Sequence, residues 1–284
     1  MKRYKEQIMR IIFLLAACTS IICVVLICLF LFINGIPAIG KIGIKEFLAG
    51  SEWKPGDTPS SYGILPMILG SIYVTAGSII LGVPIGVLTA IFIAKFCPDK
   101  ILKWLKPAID LLAGIPSVVY GFFGIVALVP AVRNTFGGNG NSMLTASILL
   151  GIMILPTIIS VSAEAINAVP ESYYEGSLAL GASHERSVFF TVLPAAKSGI
   201  TAAVILGIGR AIGETMAVIM VSGNQARMPS GLVKGIRTLT ANIVIEMGYA
   251  TDLHREALFA TGVVLFVFIL IINILFSLLK RRNN

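Results

Sequence analysis

Apolar residues fill six long blocks of this chain, at about residues 11–33, 67–94, 110–132, 143–163, 198–222 and 257–279. Each is near the 20 or so mostly apolar residues that a helix, rising 1.5 Å per residue, needs to cross the hydrocarbon of a bilayer. The pattern predicts an all-α polytopic membrane protein, six transmembrane helices in one domain over 1–284. The first block is too long for a signal peptide, and no small-x-small cleavage site follows it, so it is expected to stay as the first span.

The polar connectors are unequal. Segments 34–66 and 223–256 are long, 133–142 is a short Gly- and Asn-rich turn, and 164–197 is the longest on the other side. Six spans place both termini on one side. With the N-terminus inside, thirteen Lys and Arg fall on cytoplasmic segments and eight on outer ones, a bias that puts both termini in the cytoplasm. Glycines concentrate in the second, third and fifth blocks, as in Gly82-x-x-x-Gly86 and Gly209-x-x-x-Gly213, where they permit close helix approach and suggest that these spans line the centre.

Composition agrees. Hydrophobic residues make up 56% and charged residues 13%, about half the charge of a typical soluble domain. The net charge of +8 does not point to nucleic acid, because the basic residues flank apolar blocks instead of forming a stripe. Cys18, Cys23, Cys28 and Cys97 have neither zinc-site spacing nor a disulfide pattern, and no cofactor or metal is expected. His184 and His254 are isolated in loops and are expected at the surface.

Two segments carry candidate chemistry. In the inner connector, Pro170 and Glu171 suit a helix start, Gly181 a stop, Ser183 a cap for a second helix, and Pro194 the point where that helix ends or kinks. This predicts helix, glycine corner, helix. In the fifth block Arg210 and Glu214 lie four apart, so on one helix they share a face. Each would cost several kcal/mol against lipid, which directs both to the bundle interior or a wet path. They are either a staple between helices or an anion station, since guanidinium forms a fork that fits phosphate oxygens. Ser117, after Pro116, either sits at a packing kink or offers its hydroxyl and nearby N–H groups to an anion path.

Glu175-Gly-Ser-x-x-x-Gly181 followed by Thr191-Val-Leu-Pro194 resembles the "EAA" loop of permease subunits of binding-protein-dependent ABC importers, departing from it at Gly176 and Ser177. The resemblance implies a type I permease fold and a coupling helix, with Glu175, Gly181, Ala182, Leu193 and Pro194 engaging a cytoplasmic ATPase. Gly-Arg210-Ala-Ile-Gly-Glu214-Thr215-Met-Ala-Val and Gly114-Ile-Pro-Ser117-Val-Val-Tyr-Gly are similar to segments of the permeases of the phosphate-specific (Pst) system. That similarity implies a substrate pathway holding Arg210, Glu214, Thr215 and Ser117. Glu52-Trp53-Lys-Pro55 and the segment from Thr238 to Tyr249 look more like the C-type than the A-type subunit. The implied partners are a second permease, ATPase subunits, an extracytoplasmic phosphate-binding protein, phosphate and the lipid of a bacterial plasma membrane. The chain has no G-x-x-x-x-G-K-[ST] loop, so ATP hydrolysis is expected in a partner. A permease for sulfate or molybdate and a self-contained ion-coupled anion carrier are the alternatives.

Overall fold

The computed structural model describes residues 2–282; Met1, Asn283 and Asn284 of the single domain expected over 1–284 lie outside the described residues. Helix α1 (Lys2–Ile42) leads through a short α2 (Ile44–Ala49) to a two-stranded antiparallel hairpin of β1 (Trp53–Lys54) and β2 (Ser61–Tyr62), with Trp53 opposite Tyr62. Then come α3 (Leu65–Ile91), α4 (Asp99–Gly114), α5 (Ser117–Phe123), α6 (Val129–Phe136) and α7 (Met143–Asn167). The chain continues with α8 (Glu171–Ala179), α9 (His184–Ser187), α10 (Leu193–Gly213), α11 (Met216–Val221), α12 (Leu239–Glu246) and α13 (Asp252–Arg282). Among the described residues, three π-turns, at Phe92–Phe96, Gly124–Leu128 and Val188–Val192, extend α3, join α5 to α6 and join α9 to α10.

Among the described residues, six helical segments are long and apolar enough to cross a membrane: Glu6–Ile42, Leu65–Phe96, Ser117–Phe136, Met143–Asn167, His184–Gly213 and Asp252–Leu275. The largest departure from expectation is at the third. Its helix begins at Ser117, not near residue 110, because Ile115 and Pro116 are extended and end α4. The basic segment before it is a helix of its own.

The centre of the chain is α7. Leu149, Leu150, Met153, Ile154 and Ile158 are buried, and α3 and α10 pack along it. Spans two, three and five therefore surround the centre but do not form it. Their glycines are what let them in: a Cβ on Gly82 would lie 2.8 Å from Ile154, one on Gly207 2.9 Å from Ile158, and one on Gly124 3.0 Å from Leu149. The helix around which the others pack carries branched side chains, and its neighbours carry the gaps. Helix α1 packs on α13, with Phe30 edge-on to Phe259 at 5.5 Å, and exposes nearly all its remaining apolar surface.

Candidate functional site

The fifth span is broken where its charges lie. Helix α10 stops at Gly213, Glu214 is extended (φ −69°, ψ 130°), Thr215 turns (φ −121°, ψ −57°), and α11 starts at Met216. Arg210 and Glu214 consequently do not share a helix face, and among the described residues no ion pair joins them. Half-buried Arg210 sits in the last turn of α10, where a cation complements the dipole, and its Nη1 donates to Thr157 Oγ1 of α7 at 3.2 Å. Glu214 turns the other way: its Oε1 accepts the Ala217 N–H at 3.2 Å and places negative charge at the start of α11.

The break also satisfies its freed backbone. Thr215 Oγ1 donates to Gly213 O and Thr240 Oγ1 donates to Glu214 O, both at 3.2 Å. Irregular backbone at this depth is stable only when such groups are partnered or wet. Gly209 and Gly213 have nothing within 4 Å of a Cβ position, so the face of α10 beside Arg210 is open. Ser117 is half-buried and opens α5; the Val119 and Tyr120 N–H groups donate to Pro116 O at 3.0 and 3.3 Å, which leaves those of Ser117 and Val118 as the free leading donors of the helix. Tyr120, one turn on, is buried in the same apolar cluster as Ala211 and Ala217, and its hydroxyl donates to Leu112 O at 2.8 Å across the Pro116 corner. Helix α5 lies close to α11: a Cβ on Gly121 would meet Met220 Sδ at 2.5 Å. The start of the third span, the broken fifth span and Thr157 thus form one neighbourhood, with Arg210 as its cation.

The connector between the fourth and fifth spans folds as helix, glycine corner, helix. Helix α8 closes with paired bonds, Gly181 N–H to Leu178 O at 2.8 Å and Ala182 N–H to Ser177 O at 3.2 Å, which require Gly181 at φ +85°. Ser183 caps α9 by accepting the Arg186 N–H at 3.3 Å. Glu175 and Gly181 are exposed, and so is Leu180, at 91%, an apolar tip that the sequence pattern did not single out. The second helix does not end at Pro194. It runs through the Val188–Val192 π-turn, whose wider coil accommodates the missing N–H, and merges with the fifth span. Ala182 is half-buried beside the corner, whereas Leu193 and Pro194 lie farther along, Leu193 packed against the cluster around Ile166 and Val188.

Neither histidine is a surface residue. His184 is held between Tyr174 Oη (2.8 Å from Nδ1) and Lys95 O (3.1 Å from Nε2), with the Phe96 ring 4.8 Å away, so it ties the connector to the end of the second span. His254, at the other end of the molecule, meets Glu246 Oε2 at 2.8 Å. Trp53 Nε1 donates to the same oxygen at 2.8 Å, and Arg237 pairs with Oε1. Arg237 also donates to Asn242 Oδ1 and Asn224 O, both at 3.0 Å. The partners are up to 193 residues apart, which is why no local pattern revealed them.

Folded in this way, with six spans and a capped corner between the fourth and fifth, the chain belongs to the binding-protein-dependent transport system inner membrane component family, whose model matches residues 82–284. It is a multi-pass membrane protein. It is 41% identical over 262 residues to a probable ABC transporter permease protein, YqgH, of Bacillus subtilis, covering 89% of this chain and 85% of that one. It is 33% identical over 258 residues to the phosphate transport system permease protein PstC of Mesorhizobium japonicum, covering 84% and 78%, and 32% identical over 288 residues to PstC 1 of Mycobacterium tuberculosis, covering 87% and 85%. Among solved structures, a bacterial alginate ABC transporter matches at TM-score 0.66 over 99% of both chains, and the inward-facing MetNI methionine transporter at 0.63 over 78% of this chain and 96% of that one. Their identities of 17% and 18% speak for the fold alone.

Proposed function

We infer that this chain is a membrane-spanning permease subunit of an ATP-driven importer of inorganic phosphate, of the C type. The observation that carries this is near-full-length similarity to PstC proteins of several organisms. It is supported by the contact between the two segments that looked C-type, Trp53 and Glu246 being hydrogen-bonded. In this reading both termini and the Gly181 corner lie in the cytoplasm of a bacterium, and the Glu246 cluster lies outside. A second permease completes the pathway, an extracytoplasmic phosphate-binding protein delivers substrate, and cytoplasmic ATPase subunits hydrolyse ATP.

Arg210 is the fixed positive charge of the pathway. Thr157 holds its guanidinium from one side, which leaves other N–H donors for a phosphate oxygen. Ser117 and Thr215 offer hydroxyls nearby, and Glu214 preserves the break that keeps this stretch of backbone open. At the cytoplasmic end, Glu175, Leu180, Gly181 and Ala182 form the part that docks on the ATPase. Leu193 and Pro194 carry its movement into the fifth span through the helix they share with His184.

The test is reconstitution. The purified complex is expected to take up labelled phosphate into proteoliposomes only with ATP inside the ATPase compartment and binding protein on the opposite side. Uptake by this chain alone would establish a self-contained carrier instead, and preference for sulfate or molybdate would reassign the substrate.

A further inference from the structure

Helix α4 (Asp99–Gly114) has a surface that the transport cycle does not explain. At 100° per residue, Asp99, Lys100, Lys103, Lys106 and Asp110 fall in one arc, and the apolar residues fill the opposite one. Part of the apolar arc is used inside the chain: Ile109 is buried, and Leu102 and Ile109 line a cleft against Ile159 and Ala163 of α7. The rest is uncovered, with Trp104 82% exposed, Leu111 73%, Ile101 50% and Leu112 40%. Lys106 turns toward the cleft that also holds Glu164, while Lys100 and Lys103 point away from it, exposed.

Topology says what lies against this strip. Helix α4 joins the end of the second span at Phe96 to the start of the third at Ser117, so it connects two spans on one side of the membrane. It is 16 residues long, about 24 Å, and packs on α7. Its bare strip continues into exposed apolar residues at the flanking span ends: Phe92 on one side, Val118 and Val119 on the other. Trp104 follows Lys100 by one helical turn, which sets an indole and an ammonium side by side at the edge of the strip. Indole rings settle at the headgroup level, and lysines beside them reach anionic headgroups.

We propose that α4 is an in-plane amphipathic anchor, seated at the headgroup–acyl boundary through Ile101, Trp104, Leu111 and Leu112, with Lys100 and Lys103 recognising anionic phospholipid headgroups. The occupant is the bilayer, because the strip runs on into exposed apolar residues of the spans on either side and Lys100 borders it beside Trp104. Nothing in this depends on phosphate being the transported ion.

The chain has two tryptophans, and Trp53 is buried at 6% exposure, so subtracting the emission of a Trp104→Phe complex isolates Trp104. The full complex is placed in nanodiscs of phosphatidylcholine with increasing phosphatidylglycerol. Trp104 emission is expected to fall about twofold or more with lipids brominated near the carbonyl end of the acyl chain, less with lipids brominated at the methyl end, and little with aqueous iodide. Shallow quenching should strengthen as the anionic fraction rises, and the Lys100→Gln/Lys103→Gln complex should lose that dependence. Iodide quenching without bromolipid quenching would put the strip in water, and quenching by neither would put it under a protein partner; either result overturns the anchor. Indifference to lipid charge in the wild-type complex overturns the headgroup assignment, and it can be read even if the lysine variants do not assemble. Phosphate uptake, measured separately, reports on the transport reading alone.

Discussion

Arg237 and Glu246 are nine residues apart and meet; Arg210 and Glu214 are four apart and do not. The first pair sits in a knot that also takes in Trp53, His254, Asn242 and Asn224, its two charged side chains only 15% and 6% exposed. The second pair is half-buried on either side of a helix break, with each charge serving the end of a different helix. A charge nearly closed to solvent and held by several neighbours is structural. A charge held by one neighbour beside open space is available to something that passes. Four-residue spacing predicts pairing only while the helix continues, and here it stops between the two residues.

This contrast can be broken in graded ways. Glu246→Ala should have the largest effect: it strands the Arg237 charge and removes the acceptor of Trp53 and His254, at a cost of about 3–5 kcal/mol. The expected result is a lowered melting temperature of the purified complex or failure to assemble; an unchanged melting temperature would mean that the knot is dispensable. Arg210→Gln should do the opposite, leaving assembly and melting temperature near wild type while phosphate uptake falls by about tenfold or more, equivalent to ~1.4 kcal/mol at the rate-limiting step. Normal uptake by that variant would remove Arg210 from the pathway.

Gly181→Arg forces a side chain into a left-handed turn at a cost of about 1–2 kcal/mol and places bulk at the proposed docking tip. The ATPase subunits should no longer copurify, and intact ATP-coupled uptake would sink the docking role. Glu214→Gln is expected to be the mildest, under about 1 kcal/mol, because an amide oxygen still accepts the Ala217 N–H. Loss of uptake in an intact Glu214→Gln complex would show that its charge, and not its cap, is what the pathway uses.

The spans were legible because hydrocarbon demands a length and a composition that few other structures share. The corner was legible for local reasons as well: Gly181, Ser183 and Pro170 act within a few residues of themselves. What the sequence hid has two physical causes. Partners distant along the chain leave no periodic trace, so Trp53, Glu246 and His254 gave no sign of their contact, and His184 none of its bond to Lys95 O. Breaks without proline are quiet too: Gly213-Glu214 reads as helix until Thr240 is seen satisfying the freed carbonyl. Of the site, residue identities could be chosen from pattern and resemblance, but their orientations could not. The independent helix before Pro116 was missed because its last turn, Asp110–Gly114, runs without a polar break into the next apolar block.

The π-turn at Val188–Val192 has a consequence for azimuth. One extra residue taken into a turn sets everything after it back by roughly 100° relative to an uninterrupted helix. The compass bearing of Arg210 toward Thr157 is therefore set some twenty residues upstream, near the corner proposed to meet the ATPase. Tightening that turn into ordinary α-helix would swing the guanidinium away from α7 without altering a single atom of the arginine itself.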